Sequence, residues 1–227
     1  MNNTRILYLE DDLDLGETTA DFLTREGFLV EWKQNGTEGL QALEDGIFDI
    51  VVADIMMPQL DGYTFLKTIR ESGNQIPLIY LSARVLTEDI LKGFSIGADD
   101  YMRKPFNLEE LIARINRLLK NKTLPKNIKS EVNIGAYIYS PDTYQLNFKG
   151  NESTLSPRLG EILHRLITSE DRILHRQKML IDLWGDDNFF NGRSLDVFIY
   201  KLRKHLSEDP NIKIINIRGV GYRLVLN

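Results

Sequence analysis

The residues with chemistry to offer stand at the ends of apolar runs. Glu10, Asp11 and Asp12 follow ILYL, and Asp54 interrupts DIVVADIMMP shortly before Pro58 forces a turn. A lone carboxylate at the end of a buried strand is costly to keep charged without a partner. Neighbouring parallel strands lie about 4.8 Å apart, so with the first and third strands adjacent, Asp11 and Asp54 converge. Clustered carboxylates repel unless a hard cation joins them, and a set of oxygen ligands suits Mg²⁺. Ser82 in IYLSAR and Lys104 in RKPF end two further runs. Together these groups make a site for a metal and a phosphoryl group. Ser82 and Lys104 supply donors, the metal screens charge, and Asp54 is the nucleophile that receives the phosphoryl group. Each residue also has a plainer use: Asp12 or Asp14 as a helix cap, Lys104 as a solvated loop lysine, Ser82 as a turn former. Their joint occurrence at successive strand ends favours the shared site.

The elements that must position them can be read from the same pattern. RILYLE, FLVEWK, DIVVADIM, IPLIYLSA and DYMRKP are strand-like, and the stretches between them carry apolar residues at helical spacing. Gly27, Gly46, Gly73 and Gly97 mark helix ends. Five βα units in 120 residues imply an α/β fold with a parallel sheet covered on both faces. In such sheets ligands collect beyond the carboxyl ends of the strands. From Asn121 to Ser130, NKTLPKNIKS is polar and aperiodic and reads as a linker. After it come short strands (AYIYS, QLNFKG), helical patterns, and a terminal hairpin in IKIINIRGVGYRLVL.

Composition narrows the function classes. The 227 residues are 42% hydrophobic and 27% charged, ordinary for a folded protein. No apolar run approaches the roughly 20 residues of a membrane span, and the acidic N-terminus leaves no signal-peptide core. With no cysteine there is no disulfide framework, thiol nucleophile or Cys-type zinc site, and the chain is expected to be cytoplasmic. Its net charge of −5 is unevenly spread. Residues 1–120 carry 12 Lys+Arg against 21 Asp+Glu, a balance of −9, and residues 121–227 carry 16 against 12, or +4. The acidic half suits a cation and the basic half a polyanion.

In the basic half, residues 193–206 were placed on a wheel at 100° per residue. Leu195, Phe198, Ile199, Leu202 and Leu206 fall on one side, and Arg193, Val197, Tyr200, Lys201 and Lys204 on the other. A helix with an apolar back and a basic front can enter a major groove. Beyond it, Gly219 and Gly221 permit a tight turn flanked by Arg218 and Arg223.

ILYLEDD, DIMMPQLDGY, LSAR and GADDYMRKPF together resemble the receiver domain of two-component response regulators. The resemblance implies a flavodoxin-like, doubly wound domain over residues 1–120, phosphorylated on Asp54 by a partner sensor histidine kinase. It implies Mg²⁺ held by Glu10, Asp11, Asp54 and the Met56 carbonyl, Lys104 on the phosphoryl oxygens, and Ser82 with Tyr101 as the switch pair. Met56 and Arg84 would tune the phosphoryl lifetime. LSPRLGEIL, LWGDD, RSLDVFIYKLRKHL and IRGVGYRL resemble the winged helix-turn-helix domain of the OmpR/PhoB-type subfamily. That implies a smaller α+β domain over 131–227, with residues near 193–204 as recognition helix and Arg218 reaching the minor groove. Ser194, Arg203 and Trp184 would then touch the DNA backbone, where contacts position rather than specify.

Subfamily resemblance also implies a homodimer formed on phosphorylation, bound to tandem direct-repeat half-sites, with RNA polymerase as a further partner. Asp100 and Arg114 fit one charge pair of its dimer face. Ile90, opposite Glu110, and the pair Ser95 and Asn116 stand where charges are common, so the pair set is depleted. The resulting expectation is a phosphorylation-controlled DNA-binding regulator that turns over no external substrate. Two alternatives compete. One is a regulator that ignores phosphate. The other is an Asp-nucleophile phosphohydrolase using Asp12 and Asp14, which leaves Asp54 and the basic domain without a role.

Overall fold

Short runs of β-branched and aliphatic residues form β1 (Arg5–Leu9), β2 (Leu29–Lys33), β3 (Ile50–Asp54), β4 (Leu78–Ser82) and β5 (Asp100–Arg103). The amphipathic stretches between and after them form α1 (Leu13–Arg25), α2 (Gly36–Asp45), α3 (Gly62–Glu71), α4 (Thr87–Ile96) and α5 (Leu108–Leu119). The computed structural model describes residues 4–83, 87–119, 131–185, 187 and 189–227, without the side chains of 87, 88, 90, 189 and 190. The stretch 121–130, Arg84 and the Ile90 side chain therefore lie outside the described residues. The chain divides into two compact units, Met1–Leu119 and Lys120–Asn227.

In the first unit the strands pair in parallel in the order β2-β1-β3-β4-β5. Every residue of β3 and β4 is buried, as a parallel sheet with helices on both faces requires. Ile6, Tyr8, Val52, Ile79, Leu81 and Met102 form one core with Leu23 of α1 and Leu111, Ile115 and Leu118 of α5. Each fully buried Leu or Ile contributes about 1.5–3 kcal/mol, so the sheet is held rigidly beneath its upper edge. There the register brings the ends of β1 and β3 level, with Leu9 opposite Ala53. Asp12 caps α1 by accepting from the Leu15 amide at 3.0 Å, as one plainer sequence reading expected. Asp61 caps α3 in the same way through Thr64. Gly62 lets α3 start against β3: a Cβ there would sit 2.4 Å from the Asp54 carbonyl oxygen.

The second unit opens with a four-stranded antiparallel sheet of β6 (Val132–Ile134), β7 (Tyr137–Ser140), β8 (Gln145–Phe148) and β9 (Asn151–Thr154). Then come α6 (Pro157–Thr168), a 3-10 turn, β10 (Ile173–His175), α7 (Arg176–Trp184), α8 (Phe189–His205), β11 (Ile212–Ile217) and β12 (Gly221–Leu226). The last two strands form the expected hairpin, and β12 is central in a three-stranded sheet of order β10-β12-β11. The edge strands β6, β9 and β10 were not anticipated. β9 reads NEST and is exposed throughout, so no apolar alternation marks it. Helix α8 begins four residues before position 193 and runs through Gly192, whose carbonyl oxygen accepts from Arg176 at 2.6 Å.

Candidate functional site

The carboxyl ends of the parallel strands build an acidic site in the first unit. Glu10, Asp11 and Asp54 each bring a carboxylate oxygen within 4.8 Å of the others. Lys104, just past β5, bridges two of them. Its ammonium donates to Glu10 Oε1 at 2.7 Å, to Glu10 Oε2 at 2.6 Å and to Asp54 Oδ2 at 2.6 Å. The Met56 amide donates to Asp54 Oδ1 at 3.0 Å, while its side chain is 51% exposed. Glu10 and Asp54 are buried and Asp11 is exposed, so the site is open to solvent on one side only.

Electrostatics keep it poised for cations. Burial raises the Glu10 pKa above the ordinary value, although the hydrogen bonds from Lys104 pull the other way. Burial works against the Lys104 ammonium, yet its bonds to Asp54 and Glu10 outweigh that and its pKa is raised. Three carboxylates against one ammonium leave two negative charges, which one divalent cation neutralises. The donor set, all carboxylate oxygen, matches a hard ion such as Mg²⁺.

Ser82 ends β4, fully buried, and its carbonyl accepts from the Lys104 amide at 2.8 Å. Tyr101 on β5 is half-buried, its ring 6.4 Å from Tyr80 and 6.5 Å from Phe94. Asp100 and Arg114, the charge pair expected on the dimer face, lie 2.9 Å apart within the chain. Arg114 is 7% exposed and also donates to Glu110 at 2.8 Å. Asp12 caps its helix and Asp14 lies exposed in the first turn.

In the second unit α8 has the two faces that the wheel implies. Leu195, Phe198, Ile199, Leu202 and Leu206 are buried. Arg193 and Lys204 are exposed, Val197 and Lys201 half-buried, and Tyr200 is 66% exposed. Arg218 lies exposed at the hairpin tip. The three expected backbone contacts, and Arg223 expected beside the turn, have the following surroundings. Ser194 and Trp184 are 1% and 2% exposed, and the Trp184 ring packs between Arg158 and Phe198. The guanidinium of Arg203 is engaged by the hairpin, at the Ile214 carbonyl (2.8 Å) and Asn216 (2.7 Å). Arg223 is not beside the tip but on the central strand, opposite Ile215 and Ile173.

A cluster missed in the sequence holds this surface together. Arg176 at the start of α7 donates to Asp196 on α8 and to the Tyr222 hydroxyl on β12, both at 2.6 Å. Tyr222 in turn bonds Asp196. Gly221 makes room for the approach: a Cβ there would lie 2.0 Å from the Leu174 carbonyl oxygen, and its φ is +152°. The one available signal was Asp196, an acid inside an otherwise basic helix.

Residues 6–116 match the family described as response regulator receiver domain, and residues 150–224 that described as transcriptional regulatory protein, C terminal. The transcriptional regulatory protein RprY of Bacteroides fragilis is 42% identical over 222 residues, covering 97% of this chain and 94% of its own. The chain belongs to the response regulators. As a response regulator it joins a receiver to an OmpR/PhoB-type DNA-binding domain and is a phosphorylation-controlled transcription regulator. A solved relative, the Thermotoga maritima OmpR/PhoB homolog DrrB, is 30% identical, with 98% of this regulator and 99% of that chain covered and a TM-score of 0.51. A RitR variant, 21% identical with 99% and 100% covered, shares the fold at a TM-score of 0.74. Among the described residues of this response regulator, no helix is long and apolar enough to cross a membrane.

Proposed function

We propose that Asp54 is the phosphoacceptor, that Glu10, Asp11, Asp54 and the Met56 carbonyl hold Mg²⁺, and that the basic face of α8 with Arg218 meets DNA. The observation that carries the first part is the convergence of three carboxylates and Lys104 at the strand ends, with Lys104 Nζ 2.6 Å from Asp54 Oδ2. An Asp54 carboxylate oxygen attacks phosphorus in line. The O–P bond forms as the bond to a phosphohistidine nitrogen of the sensor kinase breaks. Bound Mg²⁺ supplies charge neutralisation on the phosphoryl oxygens. Lys104 follows the new charge from the carboxylates to those oxygens, Ser82 turns its hydroxyl towards them, and Tyr101 turns inward.

The modification replaces the single negative charge of Asp54 by a phosphoryl group carrying about two, beside the Glu10 and Asp11 carboxylates, and that change biases the switch residues and the face of α4, β5 and α5. Phosphorylated copies then pair and occupy tandem half-sites, with RNA polymerase recruited beside them. In this reading residues 1–120 act as receiver, 121–130 as linker and 131–227 as DNA-binding domain. The regulator accelerates only its own phosphorylation and dephosphorylation.

The test is the intact mass after incubation with acetyl phosphate, with and without Mg²⁺, for wild type and Asp54→Ala. The expected outcome is one phosphoryl group gained only by wild type with Mg²⁺. A gain by Asp54→Ala would move the acceptor elsewhere.

A further inference from the structure

Tyr8 lies on β1 two residues before Glu10, so the two side chains share one face of the strand. Its ring belongs to the apolar core under α1 and α5 and has no exposed surface. A phenol in such a place needs a hydrogen-bond partner, and its hydroxyl donates to Glu10 Oε2 at 3.3 Å. Thr19 of α1, also fully buried, lies beside the same phenol. The Glu10 backbone is fixed as well. Its carbonyl accepts from Trp32 Nε1 at 2.9 Å and its amide donates to the Lys33 carbonyl at 3.0 Å.

The Glu10 carboxylate thus hangs between a cation, Lys104, and a neutral donor, Tyr8. Those two donors behave differently once Asp54 carries a phosphoryl group. On the proposed function the ammonium follows the new negative charge. The phenol is locked in the core and stays. A neutral donor also orients a carboxylate without competing with a divalent ion for its charge. We infer that Tyr8 is a positioning residue of the acidic site, whose hydroxyl holds the Glu10 carboxylate in place for a divalent cation, alongside Lys104 before phosphorylation and without it once Lys104 has followed the phosphoryl group. The inference rests on the phosphoacceptor reading and adds to it a residue outside the strand-end groups.

The test compares full-length wild type with Tyr8→Phe, which keeps the ring and removes only the hydroxyl. Each is titrated with MgCl₂ and followed by tryptophan fluorescence, Trp32 being bonded to Glu10, with calorimetry as a second measure of the same constant. Circular dichroism sets a temperature at which both are folded. The Mg²⁺ concentration for half-saturation is expected to rise roughly three- to tenfold in Tyr8→Phe, the loss typical of one hydrogen bond to a metal-binding group. Labelling by acetyl phosphate should show the same shift in its Mg²⁺ dependence, with a smaller change in the rate at saturating Mg²⁺. Ring packing alone would not produce that split. Coincident Mg²⁺ curves would overturn the role of Tyr8 and leave Asp54 as acceptor. A wild type with neither a Mg²⁺ response nor a mass gain would overturn both.

Discussion

The strand-end site and the basic surface of α8 and the hairpin use charge in opposite ways. Around Asp54 the charges of Glu10 and Asp54 are buried and already in contact with a cation, Lys104, at 2.6–2.7 Å. On α8 and the hairpin, Arg193, Lys204 and Arg218 stand exposed. The difference follows from the tasks. Phosphoryl transfer needs charges held in fixed geometry, with little reorganisation left for the reaction itself. Recognition of a polyanion gains from releasing counterions, so its cations work best hydrated until the partner arrives. One surface is rigid because the sheet beneath it is. In the other, the Arg176, Asp196 and Tyr222 cluster ties α7, α8 and β12 together.

That contrast can be broken or sharpened by measurement. The largest effect belongs to Lys104. Lys104→Met removes the cation that joins Glu10 to Asp54, and phosphorylation by acetyl phosphate should slow roughly a hundredfold. A rate near wild type would mean that the bridging seen here is incidental. Next comes DNA affinity as a function of salt. The binding constant should fall steeply with salt concentration, and Lys204→Ala and Arg218→Ala should each flatten the logarithmic slope by about one. A flat wild-type response would remove the exposed cations from the interface.

A smaller effect tests the Asp196 cluster. Burial opposes ionisation of Asp196, but hydrogen bonds from Arg176 and Tyr222 prevail and lower its pKa. A group with a depressed folded value stabilises the fold above its unfolded pKa of about 3.9 and loses that contribution as pH falls through the folded value. Asp196→Asn should therefore destabilise the protein by about 0.5–1 kcal/mol at neutral pH, given the partial exposure of the pair. In urea unfolding at successive pH values, that gap should close on the acid side of pH 4. The smallest effect is assigned to Arg223. On the central strand, with its guanidinium on the Asp171 carbonyl at 3.2 Å, Arg223→Ala should change DNA affinity by less than about twofold. A loss as large as that of Arg218→Ala would put β12 in the interface.

Legibility divided along physical lines. Glu10, Asp11, Asp54, Ser82 and Lys104 could be found in the chain because parallel strands send all their carboxyl ends to one edge. Once the strands are recognised, the residues after them are neighbours by necessity. The two faces of α8 were legible because helical geometry alone sorts its side chains. Strand β9 was not, since an edge strand is defined by backbone pairing and NEST has no apolar alternation to betray it. Nor were the burial of Ser194 and Trp184, the closure of Asp100 on Arg114, or the contact of Arg176 with Tyr222, 46 residues apart. Tyr8 sits between the two classes. Its place on the face of Glu10 follows from strand alternation, but its meeting with the carboxylate depends on how the core packs around the hydroxyl. Local periodicity thus determined the elements and the order of the chemical groups along one sheet edge. Which charges are satisfied, and by whom, was decided only when distant elements packed together.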